Sequence, residues 1–151
     1  MRIVSILENQ NIEKRIAITP EIAKKYIALG FEISLTTKYG EHLGFKDSEY
    51  KDLGVEISSN ETEILSKANI IIQLGLLSDE NLSNLKENQT IIGVFNPYAN
   101  KGKIENLSKK NINVFSLEML PRITRAQSMD ILSSQANLAG YKAVIESFAN
   151  F

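Results

Sequence analysis

The sequence predicts an α/β fold: an open, mainly parallel sheet with helices on both faces, flavodoxin-like or Rossmann-like in form but lacking a GxGxxG loop. Three observations predict it. Short β-branched runs alternate with amphipathic segments from end to end, the pattern of βαβ units joined by right-handed crossovers. Two of the runs, NIIIQL at 69–74 and TIIGVF at 90–95, are almost wholly apolar, as strands covered on both faces are. Helical segments open on capping residues or proline and close on glycine.

The elements follow in order. RIVSIL at 2–7 reads as the first strand. Thr19 then caps a helix with Pro20 at its first position, Ile22, Ala23, Tyr26, Ile27 and Leu29 form its apolar face, and Gly30 ends it. FEISL at 31–35 is the second strand, and the glycine-bearing loop 38–46 leads to a short helix opened by Asp47 and ended by Gly54. A brief strand at 55–57 and a short helix at 61–67 precede the buried strand 69–74. Ser78 caps a helix over 78–85, and the second buried strand, 90–95, is followed by a helix at 102–110 and a last strand at 112–117. A final helix runs from Ser133 or Ser134 towards Phe148, with Leu138, Tyr141, Ile145 and Phe148 at helical spacing, and Tyr141 is expected to pack.

At 151 residues the chain has the length of one ordinary domain. Seventeen Lys+Arg against eighteen Asp+Glu leave a net charge of −1, so no bulk positive field recruits nucleic acid. The absence of cysteine excludes disulfides, thiolate metal sites and a cysteine nucleophile. A single histidine, His42, leaves His-cluster metal sites without material, and it reads as a surface-loop residue. The longest apolar stretch, 70–77, is broken by Gln73 and Gly75, and the apolar run in MRIVSILENQ is too short for a secretion signal.

The eight glycines lie at 30, 40, 44, 54, 75, 93, 102 and 140, and no two are two residues apart. There is therefore no GxGxxG and no phosphate-cradling GxxxxGK[ST], and the glycines read as helix ends and turns. Taken alone, this sheet is not a complete dinucleotide site.

One stretch, 121–137, breaks the alternation. Ten of the sixteen positions from Arg122 to Asn137 carry hydrogen-bonding side chains, between a strand's carboxyl end and a helix start. Open α/β sheets place their ligands there. Gln and Ser suit ribose hydroxyls and a carboxamide, Asp accepts from a hydroxyl or pairs with Arg, and Arg holds a phosphate or orients a neighbour. A solvated loop with a serine helix cap fits the composition equally well.

The string PRITRAQSMDILSSQANLAGYKAV at 121–144 closely resembles the polar loop and following helix of the NAD(H)-binding alpha subunit of proton-translocating nicotinamide nucleotide transhydrogenase. ILENQNIEKRIAITPEIAKKYIALGFEI at 6–33 resembles the opening of the same subunit, which alanine dehydrogenase shares, and GFKDSEYKDLGVEI at 44–57 follows the pattern. The resemblance covers essentially all of the chain. It implies an alanine dehydrogenase/transhydrogenase N-terminal domain over 1–151, one lobe of a two-lobed component whose GxGxxG-bearing NAD-binding lobe lies beyond Phe151. Arg122, Gln127 and Asp130 match the family's Arg–Gln–Asp loop beside the nicotinamide and its ribose, and Ser133 matches the accompanying serine.

That resemblance implies further properties. Hydride passes directly from NADH to NADP+, so the protein's task is positioning, with Arg122, Gln127 and Asp130 as the reaction-site residues and the same three plus Ser133 holding NAD(H). NADP(H) resides on a separate component, and membrane components carry protons. The intact component is an oxidoreductase, homodimeric, cytoplasmic and peripheral on the inner membrane, with no nucleic-acid partner and no metal; the isolated lobe is expected to be inactive. Apolar surface near Phe148 and Phe151 is expected to lack its cover, and Arg125 is assigned a structural or docking role.

Two alternatives stand beside this. An alanine dehydrogenase-like lobe needs an Arg, a Lys and a His lining its site. Arg15 fits, but Gly75 and Asn96 stand where the lysine and histidine belong. The QLGLL segment departs somewhat from the usual transhydrogenase form as well. A non-catalytic truncated or split-gene module is the other. Arg15, near Glu8 and Glu13, reads either as a cleft residue or as one half of a salt bridge.

Overall fold

Side-chain alternation along the first strand decides the layering: Ile3 belongs to one apolar cluster and Val4 to another, on opposite faces of the sheet. The computed structural model describes residues 1–121 and 123–150. Six strands, β1 (Arg2–Ser5), β2 (Glu32–Thr36), β3 (Glu56–Ser58), β4 (Ile70–Ile72), β5 (Thr90–Gly93) and β6 (Asn113–Ser116), form one sheet in the order β3-β2-β1-β4-β5-β6. Every pairing is parallel, with Ile3 opposite both Ile33 and Ile70, and Ile71 opposite Ile91. Between the Rossmann-like and flavodoxin-like forms, this order is the Rossmann one, and the chain reverses direction across the sheet between β1 and β4.

Helices α1 (Pro20–Ala28) and α2 (Asp47–Asp52) cover one face, where Ile18, Ala23, Ile33, Leu35, Tyr39 and Tyr50 are buried. Helices α3 (Glu61–Ser66), α4 (Asp79–Ser83) and α5 (Lys101–Lys109) cover the other, over Val4, Leu65, Ile71, Ile91, Phe95 and Leu107. Local chemistry sets the helix starts. Thr19 Oγ1, Asn60 Oδ1 and Ser78 Oγ accept the amides of Ile22, Glu63 and Asn81. Asp47 does not cap α2 as expected. Its carboxylate turns back to the Lys38 amide at 2.9 and 3.0 Å, holding a residue whose φ is +60°, while Glu49 accepts from the Lys46 amide.

The central strands are shorter than the apolar runs that encode them, for a physical reason. Past Ser5, Ile72 and Gly93 the next backbone amides bond to side chains instead of strands: Ile6 to Gln73, Leu7 to Thr36, Leu74 to Glu8 and Phe95 to Ser116. The carboxyl edge is thus a splayed, side-chain-rich rim. Three glycines escape the expected turn role, since Gly93 lies in β5, Gly102 in α5 and Gly140 in the last helix.

That helix, α6 (Ile131–Asn150), begins before Ser133 and projects from the domain with no buried residue. Tyr141, expected to pack, is 69% exposed, and Phe148, expected to lack cover, is 83% exposed. Phe151 lies outside the described residues.

Candidate functional site

Two polar regions sit at the carboxyl edge. The first fills the crevice between β1 and β4. Gln73 is a polar residue at the end of an apolar run, 2% exposed, so its amide must find partners inside. Its Oε1 accepts from Ser5 Oγ at 2.9 Å and from the Ile6 amide at 2.8 Å, and its Nε2 donates to Glu8 Oε1 at 3.1 Å. Glu8 Oε1 also receives the Leu74 and Gly75 amides at 2.6 and 3.3 Å.

On the far side of Ser5 stands Tyr39, whose oxygen accepts the Ala17 and Ile18 amides at 3.1 and 3.2 Å. With its lone pairs so engaged, Tyr39 O–H donates to Ser5 Oγ at 2.7 Å. The chain of donors therefore runs one way, from Tyr39 through Ser5 and Gln73 to the Glu8 carboxylate. Burial pushes the Tyr39 phenol up to about 12 and raises Glu8 above the usual carboxylate value despite the amides facing it. An edge-to-face contact with Tyr50, ring centroids 6.2 Å apart, braces Tyr39, and Tyr50 O–H donates to Ile18 O.

Arg15 lies at the mouth of this crevice. Its Nε and one terminal nitrogen grip Glu13 at 2.8 and 2.7 Å, which holds the Glu13 carboxyl below its usual value. The remaining terminal nitrogen donates to Gln135 Oε1 on α6 at 2.8 Å. Both sequence readings of Arg15 thus contain part of the arrangement: it is salt-bridged to Glu13, and it spans a cavity of about 330 Å³ walled by Ile72, Leu74, Ile92, Leu117 and Leu132.

The second polar region follows β6, on the 3₁₀ turn Thr124–Met129 and the head of α6. The structure brings Gln127, Asp130 and Ser133 together around a cavity of about 390 Å³ with Leu120, Pro121 and Ile123. Asp130 Oδ1 accepts the Leu132 and Ser133 amides, each at 3.0 Å, and Oδ2 accepts Ser133 Oγ at 2.6 Å. Asp130, rather than Ser133 or Ser134, is therefore the helix cap. The Gln127 side chain makes no hydrogen bond among the described residues, which leaves its two donors and its acceptor to a ligand. Arg122 lies outside the described residues. Arg125 is exposed on the turn.

Neither position that an alanine dehydrogenase-like site needs carries an ionisable group. Gly75 faces Glu8, and Asn96 sits on a turn at φ +44° with its amide on Glu118. His42 is exposed, as its sequence context indicates, and its ring pins the 9–15 loop through Gln10 and the Lys14 carbonyl. Among the described residues no group of three His, Cys, Asp or Glu side chains is placed to hold a metal ion, and no helix is long and apolar enough to cross a membrane.

The family model described as "Alanine dehydrogenase/PNT, N-terminal domain" matches residues 6–139. The chain belongs to that family. Within it, the chain is 42% identical over 151 residues to the first of the separate polypeptides that make up the NAD(P) transhydrogenase alpha subunit of Rickettsia prowazekii (strain Madrid E), covering 97% of this chain and 39% of that protein. It is 36% identical over 156 residues to the protein of the same name from Rhodospirillum rubrum, covering 100% of this chain and 41% of that one. A solved transhydrogenase from Sinorhizobium meliloti superposes with a TM-score of 0.85 at 34% identity, over 95% of this chain and 43% of that one. This alanine dehydrogenase/PNT domain therefore spans about two fifths of the length of these relatives. A solved L-alanine dehydrogenase shares the fold, with a TM-score of 0.72 at 18% identity over 78% of this chain and 32% of that one.

Sequence reasoning found the turn but missed the Tyr39–Ser5–Gln73–Glu8 chain and the role of Gln135. The signal for the first was visible, since a glutamine at the end of an apolar strand has to be satisfied by neighbours. Nothing in the sequence marks Gln135 as the partner of a residue 120 positions away.

Proposed function

We propose that this domain forms one wall of a nicotinamide-nucleotide cleft in a transhydrogenase alpha component, with Gln127, Asp130 and Ser133 facing NAD(H). One observation carries the reading. These three side chains share a single cavity beyond the carboxyl end of β6, in a family whose matched relatives are named as portions of NAD(P) transhydrogenase. The donor set fits the ligand: the open Gln127 amide matches a carboxamide or ribose hydroxyl, and the Asp130 carboxylate is already oriented by Ser133. Arg122 joins this wall by its place in the motif.

Bound nicotinamide supplies the hydride chemistry. The chain's own groups orient the ring and its ribose and exclude water from one side, a contribution through positioning. No general acid or base is required of them. The reading includes hydride transfer from NADH to NADP+ on a separate component, coupled to proton passage through membrane components. It also includes a second lobe bearing GxGxxG, a homodimeric intact component, and peripheral attachment at the cytoplasmic face of the inner membrane.

Because the described strands carry no pyrophosphate-gripping glycine loop, NADH binding to this chain is expected to be weak, in the millimolar range. Titration with NADH, followed through the backbone amide resonances of residues 127–133, tests this. Shifts confined to that turn support the reading, and Gln127→Ala is expected to weaken them roughly tenfold with an unchanged melting temperature. Micromolar affinity would overturn the single-wall reading. Silence of the turn at saturating NADH would overturn the nucleotide wall altogether.

A further inference from the structure

We propose that Arg15 is a positioning residue for the polar turn at the head of α6, acting through Gln135 and not by touching a ligand; the functional meaning of this rests on the turn being a nucleotide wall. The argument begins with the guanidinium. Nε and one terminal nitrogen form two parallel bonds to the Glu13 carboxylate, at 2.8 and 2.7 Å, and such a fork fixes the plane of the group. Glu13 Oε1 also takes the Arg15 amide at 2.9 Å, so side chain and backbone are held together. Two residues on, Tyr39 holds the Ala17 and Ile18 amides, which ties the segment to the buried network. The remaining terminal nitrogen is thereby aimed, and it meets Gln135 Oε1 at 2.8 Å.

The receiving end is as specific. Gln135 lies one turn after Ile131 and three residues after Leu132, so the three share the face of α6 that lines the 330 Å³ cavity beside Arg15. The rest of α6 is exposed. Among the described residues, Arg15 to Gln135 is the one side-chain hydrogen bond that α6 makes to the sheet body; its others are local. The placement of Asp130 and Ser133 over their cavity therefore depends on two apolar contacts and this strut. A guanidinium engaged on Glu13 and Gln135 is also closed to a substrate carboxylate unless the ion pair breaks. That separates this use of arginine from an anion receptor.

Amide hydrogen exchange in the 151-residue chain tests the proposal. Arg15→Met and Gln135→Leu should each speed exchange across residues 131–137 by roughly threefold, the scale of an exposed ion-assisted contact. The double variant should be no faster than either single one. Gln135→Glu should restore protection because a carboxylate accepts the same N–H, whereas Arg15→Lys should not, having no second fork. Additive effects, or no effect in Gln135→Leu, would overturn it. So would faster exchange throughout β1–β5, which would make Arg15 a general stabiliser; if Arg15→Met does not fold, Gln135→Leu on the exposed helix decides alone. In the NADH titration, Arg15→Met should weaken the response of residues 127–133 roughly threefold and Gln135→Glu should not. A wild-type turn silent to NADH sinks the nucleotide wall, while the exchange coupling still judges the strut.

Discussion

The two polar regions at the carboxyl edge are built in opposite ways. Between β1 and β4, Tyr39, Ser5, Gln73 and Glu8 satisfy one another and nearby backbone amides, and among the described residues no buried side-chain nitrogen or oxygen lacks a partner. Beyond β6 the turn is exposed, its Gln127 amide is open, and Asp130 and Ser133 are pre-oriented at a cavity. Open α/β sheets commonly bind ligands where the strand order reverses. Here that crevice is filled by the protein's own hydrogen bonds, so the recognition chemistry lies on the segment that follows the last strand. A rigid floor and an open wall are different materials, and substitutions should tell them apart.

The largest effect is expected in the floor. A Cβ on Gly93 would stand 2.0 Å from the Gln73 carbonyl oxygen and 2.6 Å from the Phe95 ring, and Phe95 is itself buried in the core. Neither backbone nor a packed ring can yield easily. Gly93→Ala should lose about 3 kcal/mol in urea unfolding. A loss under about 1 kcal/mol would show a soft floor and break the contrast. In the wall, Asp130→Ala removes the cap of α6 and should lose only about 1 kcal/mol, with faster exchange at Leu132 and Ser133 and none in β1 or β4. Equal losses at the two sites would mean that the turn is as structural as the crevice.

The same contrast explains what was legible in the sequence. Alternation, caps and apolar runs are local signals, so the six strands, their order along the chain and the α/β class could be read from residues such as Thr19, Gly30 and 70–72. Strand ends could not, because they are set by side chains such as Gln73 and Thr36 reaching across from other strands. Composition marked the 121–137 turn as unusual and the motif picked out Gln127, Asp130 and Ser133, which the fold does bring together. Asp130 as helix cap was hidden by two neighbouring serines that are equally good caps. Gly93 was read as a turn glycine because its real constraint, the Gln73 carbonyl, is an inter-strand approach. Tyr141 was read as core because helical spacing reveals an apolar face without saying whether anything covers it.

The smallest effect sharpens the comparison within one loop. Glu8 and Glu13 both follow β1, yet they titrate in opposite directions. Burial raises Glu8 above 4.5, so its favourable contribution is present below that value and lost as the pH rises through the folded-state pKa. The Arg15 fork lowers Glu13 beneath 4.5, so its contribution is present above that value and lost as the pH falls through the folded-state pKa. Glu8→Gln keeps an acceptor for the Leu74 and Gly75 amides while removing the charge. Its stability relative to wild type should therefore improve as the pH climbs. Glu13→Gln should show its full deficit, a fraction of about 1 kcal/mol, at neutral pH, and that deficit should fade in acid. Urea midpoints measured from about pH 3 to 7 give both curves. Opposite slopes place Glu8 with the buried floor and Glu13 with the exposed strut, although five residues separate them; parallel slopes would mean that solvent reaches both alike and that the crevice is no more closed than the wall.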